Sequence, residues 1–324
     1  SLIDLFYNLI YNDDELTKEL VSKNIHQIFF PFINLQITLN LFSELLFLNR
    51  APNNLNKKAQ FPHDHDERQI AYDQYAVECG YNLVAHFCID NDIPSKLLQL
   101  FESDLKYDAL RVIYQLGCYF FSYESFIPLF DYIFHIIFND PDEDVIILAI
   151  KSIAEFSCSS RNSVYGFLGK SEYINLFTEF GTKQSPGIQK SILYCSEKAL
   201  SLSQYLMFEQ VEILLSFPLN FLYSDDTSFI ESSIKAISNG TKIGNEYVNY
   251  FIQNGIIKYL FNLMNSDQIT FQLQKVIFTC ICNFFLFSDF DSASEIINLE
   301  FFTMLSDFLE SMSQDSTVMI SAFD

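Results

Sequence analysis

Apolar residues recur along the chain at intervals of three and four, in blocks too short to stand alone. The stretch IKAISNGTKIGNEYVNYFIQNGIIKYLFNLM, residues 234–264, holds three such blocks, with Gly240, Gly244 and Gly255 where helices would stop. Each block predicts a helix of about 8 to 13 residues, and isolated helices of that length are marginal in water. Their apolar faces need partners, and another copy of the same unit is the simplest source.

The order apolar, small, polar around Asn239 recurs at Asn8, Glu44, Asn82, Gln115, Glu155, Glu197 and Asn283, at intervals of 33 to 44 residues. A period that drifts around 40 suits a helical repeat with variable loops. Five residues before each anchor stand Ile3, Leu39, Val77, Leu110, Ile150, Ile192, Ile234 and Phe278, all apolar. Two before stand Phe6, Phe42, Gly80, Ile113, Ile153, Cys195, Ile237 and Ile281, none of them charged. Six before, the central copies carry Ala76, Ala109, Ala149, Ser191 and Ser233, small enough to let helices approach closely. These columns share one helical face, so this helix is read as the buried spine of each unit.

Two shorter helices accompany each spine helix. The pattern predicts them at 245–253 and 256–265, at 208–215 and 219–223, at 163–168 and 173–180, and at 15–21 and 25–33. Asn24 stands where Gly255 stands, and asparagine tolerates the left-handed backbone.

The runs AISNG at 236–240, VNYFIQNGIIKYLFNLMNS after it, and CICNFF at 280–285 resemble the armadillo repeat, as found in importin-alpha and beta-catenin. The resemblance is fullest across Ser228–Phe287, rougher across 93–222 and faintest before Asn91. It implies an all-α, right-handed superhelix of roughly seven or eight three-helix units, the amino-terminal ones degenerate, with the third helix of each lining a concave groove. The whole of 1–324 is then a single solenoid, interrupted at 49–69 by the polar stretch NRAPNNLNKKAQFPHDHDERQ, which reads as an exposed insertion loop. The interval from Asn82 to Gln115 is too short for a full first helix.

Charge narrows the partners. With 19 Lys and Arg against 41 Asp and Glu the chain carries −22, which repels phosphate backbones, so no nucleic acid is expected. The acidity attracts basic or mixed-charge partners, and it also serves solubility. The 35 Phe and 18 Tyr read as core packing. Seven cysteines, Cys79, Cys88, Cys118, Cys158, Cys195, Cys280 and Cys282, are scattered through apolar stretches and suit buried thiols in a reducing compartment. Ile28–Leu48 is the most apolar stretch, but Pro31, Asn34, Gln36, Asn40 and Glu44 make membrane insertion costly.

Catalytic chemistry is not expected. No phosphate-cradling glycine loop, nucleophile elbow or HExxH spacing occurs. His63, Asp64, His65 and Asp66 sit together in the insertion, where adjacent ligands do not preorganise a metal site. Asp140, Asp142, Glu143 and Asp144 flank Pro141 before a helix and read as its cap. The reading therefore has no cofactor, no metal and no small-molecule substrate.

The anchor column carries the binding hypothesis. A row of amides and carboxylates on a helix with an apolar back can clamp an extended peptide, since an amide both donates and accepts; a plain solvated face would look the same. One turn earlier stand Asp4, Asn40, Glu78, Arg111, Lys151, Leu193, Lys235 and Thr279. In importin-alpha-like proteins that column is rich in Trp, and this chain has none. The candidate groove residues are Asn82, Arg111, Gln115, Lys151, Glu155, Glu197, Lys235, Asn239 and Asn283. The expected function is a non-catalytic scaffold for an extended or helical segment of a protein partner, in the cytoplasm and also the nucleus. A nuclear transport adaptor and a regulatory subunit of an enzyme are the alternatives.

Overall fold

A computed structural model describes residues 19–48, 83–117, 127–158, 161–264 and 269–297, together with Phe6, Ser266, Phe302 and Ser306. Every regular element among them is helical. The insertion at 49–69, its histidines and aspartates, and the anchors Asn8 and Asn82 lie outside the described residues. The chain divides into two compact units, Ser1–Tyr173 with Lys183–Cys195, and Ile174–Thr182 with Ser196–Asp324.

In the first unit the spine helices Gln36–Leu48, Lys106–Gly117 and Glu143–Ser157 pack side by side in that order. The columns explain why. Leu39, Leu110 and Ile150 are fully buried, as are Phe42, Ile113 and Ile153 two residues before each anchor. Ala109 and Ala149 are buried between the helices, and a Cβ built on Gly117 would lie 2.7 Å from the Phe156 ring, so that approach tolerates only glycine. Behind this layer, helix Ile127–Asn139 sets Phe130 against Phe156 and Phe167.

That packing also shows which described spine helices touch. Arg111 Nη1 donates to Asn40 Oδ1 at 3.1 Å, so the spine helices of Glu44 and Gln115 are direct neighbours. Asn82 lies outside the described residues, so its place in the column is not part of this contact. Helices Leu83–Asp90 and Ile93–Leu98 supply the two short helices that precede the spine Lys106–Gly117. Asp92 between them is left-handed at φ 53°, matching Asn24 at φ 58° and Gly255 at φ 71°, and each is followed by the isoleucine that opens the next helix.

In the second unit, helix Thr227–Gly240 packs against helix Phe271–Phe287 on one side and Phe208–Phe221 on another. The two short helices between the spines run Asn245–Gln253 and Ile256–Met264, close to the expected bounds. The 208–215 and 219–223 blocks, expected as separate helices, form one helix with Pro218 buried inside it. A proline there frees the carbonyl four residues earlier, Leu214, and the Ser196 hydroxyl donates to that carbonyl. The break that proline implies is thereby avoided.

Spine helices open on capping side chains. Asp142 accepts from Asp144 N at 2.9 Å, Asp226 from Ser228 N at 2.8 Å and Thr270 from Leu273 N at 3.2 Å. The acidic run before residue 145 is thus a cap, with Asp140 also ion-paired to Lys106.

His26 is 1% exposed, edge-on to Phe87, and its Nδ1 has no hydrogen-bond partner among the described residues. Burial lowers its pKa from 6.5 to about 4. The unfolded chain therefore binds the extra proton first, so stability is full above about pH 6.5 and is lost as pH falls toward 4. Denaturant titration should find the first unit about 2 kcal/mol less stable at pH 5 than at pH 7 from this group, a difference that His26→Phe should abolish. An unchanged pH dependence in that variant would show the ring is not buried neutral.

Candidate functional site

The polar anchors fall into two environments. In the first unit Gln115 is 9% exposed and Glu155 5%, so the expectation of an exposed column is corrected at both. Glu155 faces the neighbouring spine helix, where it accepts a hydrogen bond from the Tyr194 hydroxyl. A carboxylate in that position is held by its neighbour rather than offered outward. Lys151 and Arg111 are half-buried one turn earlier, whereas Leu193 in the same column is fully buried.

In the second unit the anchors Glu197, Asn239 and Asn283 are half-exposed. Asn239 Nδ2 donates to the Glu197 carbonyl at 3.1 Å, 42 residues away, and Asn283 Nδ2 donates to Ser238 Oγ at 2.7 Å. Each amide thus reaches back to the preceding spine helix. Ser203 Oγ donates to the Asn239 carbonyl, and Lys242 Nζ donates to Asn239 Oδ1 at 2.9 Å. One Asn239 N–H and the Asn283 Oδ1 have no partner among the described residues, so both amides retain capacity for a ligand.

Electrostatics distinguish the charged groups. Burial raises the Glu197 pKa, with Lys235 and Lys198 pulling the other way. Lys235 is itself paired with Glu231 at 2.8 Å. Burial lowers the pKa of Lys242. The sequence reading missed Lys242 and Tyr194; Lys242 could have been found as the residue one turn beyond an anchor, while nothing in sequence aims Tyr194 at Glu155.

Burial pushes the Cys195 thiol up to about 12, and Cys88 and Cys280 higher still, which disarms them as nucleophiles. Among the described residues no cluster of three His, Cys, Asp or Glu could hold a metal, and no helix is long and apolar enough to cross a membrane.

No protein-family model and no curated protein sequence matches the chain. Solved structures do. An engineered protein aligns over 94% of this chain and 68% of its own, with a TM-score of 0.57 at 12% identity. A designed armadillo repeat protein in complex with the peptide (KR)4 aligns over 75% of this chain and 99% of its own, with a TM-score of 0.52 at 17% identity. A second designed armadillo repeat protein covers the same shares at a TM-score of 0.50. The fold is therefore an all-α, armadillo-like helical repeat.

Asn239→Ala removes a donor from the Glu197 carbonyl and an acceptor from Lys242. Chemical denaturation should show a loss of about 1 kcal/mol in the second unit. A change within about 0.3 kcal/mol would mean that the amide bridges nothing in solution.

Proposed function

We propose that this armadillo-like array is a non-catalytic scaffold that binds an extended segment of a protein partner along its spine helices. The observation that carries the reading is the pair Asn239 and Asn283. They stand at one position on successive spine helices, the Asn239 side chain fixed by two hydrogen bonds and that of Asn283 by one, each with capacity left over. An extended chain presents a donor and an acceptor at every residue, and fixed amides can meet both without further ordering cost. The designed armadillo neighbour solved with (KR)4 supports a peptide as the kind of ligand such a fold holds. Glu197 and Lys235 complete the proposed surface of the second unit; in the first unit by itself Arg111 and Lys151 hold the corresponding positions, with Gln115 and Glu155 in supporting positions because they are buried. Cys88, Cys158, Cys195, Cys280 and Cys282 form no disulfide among the described residues, which suits a reducing compartment, and we place the protein in the cytoplasm.

Selection of randomised 12-residue peptides on the chain supplies ligands for the test. Replacing Asn239 and Asn283 together by Ala should weaken the selected peptides by about 1 to 3 kcal/mol, roughly 5- to 150-fold, measured by fluorescence anisotropy where both proteins are folded. Unchanged affinity would place the binding surface elsewhere.

A further inference from the structure

Lys242 is out of place in an acidic chain. Its side chain is half-buried, it makes no ion pair among the described residues, and its one hydrogen bond goes to the neutral Oδ1 of Asn239. Lys235, one turn before Asn239, is by contrast neutralised by Glu231. A cation just past a helix end is favoured by the helix dipole, which accounts for a lysine there but leaves its charge uncompensated. One unit further on, three residues past Asn283 as Lys242 is three past Asn239, stands Leu286, 74% exposed. The bond from Asn283 to Ser238 holds these two stations side by side.

From this juxtaposition we infer that the groove of the second unit takes an acidic extended segment, with an Asp or Glu carboxylate on Lys242 and an apolar side chain over Leu286. Packed helices lie about 10 Å apart and an extended chain advances about 3.3 Å per residue, so the two side chains stand about three residues apart in the partner. The carboxylate supplies the counter-charge that Lys242 lacks, and Nζ keeps two N–H groups to donate to it. The spare N–H of Asn239 and the Oδ1 of Asn283 belong to the residues three before each station, where they can meet the segment's backbone. The inference rests on the groove reading and adds the partner's chemistry to it.

The randomised 12-residue library, selected on the native chain and on Lys242→Met and Lys242→Glu chains, tests it, with circular dichroism confirming helix in each. The native chain should enrich Asp or Glu spaced two to four residues from Leu, Ile or Phe. Lys242→Met should erase the acidic preference and weaken the selected peptide about tenfold, and Lys242→Glu should exchange that preference for Lys or Arg. If Lys242→Met does not fold, Lys242→Arg must retain binding and a Glu→Gln exchange in the peptide must weaken it by the same factor. Enrichment of Lys- and Arg-rich peptides on the native chain, or (KR)4 displacing the acidic ones, would overturn the inference and leave the groove reading standing. A profile indifferent to both Lys242 variants would do the same. Peptides insensitive to Asn239→Ala with Asn283→Ala would remove the groove reading and this inference together.

Discussion

Everything in this chain depends on successive spine helices lying side by side at close range and in register. The short helices cannot bury their own apolar faces, so each finds a partner only if the spine beside it is correctly placed. Close range comes from the small-residue column, Ala109, Ala149, Ser191 and Ser233, all buried. Register comes from directional bonds across the stack: Arg111 to Asn40 and Tyr194 to Glu155 in the first unit, Asn239 to Glu197 and Asn283 to Ser238 in the second. Apolar contact alone would allow a helix to slide by a turn at little cost. A side-chain bond to one particular carbonyl or hydroxyl does not.

The same polar groups therefore serve two ends. Because Asn239 and Asn283 are held in place by the stack, they face the solvent side in a fixed orientation, and whatever binds them does not bear the cost of ordering them. Glu155 is the opposite case: buried and held by Tyr194, it contributes to the stack and has little to offer a ligand. Lys242 shows how the two ends conflict, since tethering to Asn239 brings an ammonium into a half-buried place where it makes no ion pair among the described residues.

Periodicity made much of this legible. The apolar and small columns were readable because burial constrains residue type at every turn, and Asn24 was readable because so few residues suit the left-handed backbone. The depth of Gln115 and Glu155 was not readable, since a polar residue at the edge of a buried face looks the same whether it meets water or a neighbouring helix. Pro218 misled for a related reason: the hydroxyl that satisfies the freed carbonyl comes from Ser196, on another helix.

A double-mutant cycle between Asn283 and Ser238, which are 45 residues apart in sequence and 2.7 Å apart in space, tests the stacking most directly. Unfolding free energies of Asn283→Ala, Ser238→Ala and the double variant should reveal a coupling of about 0.5 to 1.5 kcal/mol. Additivity within about 0.3 kcal/mol would mean that the two spine helices are not held together in this register.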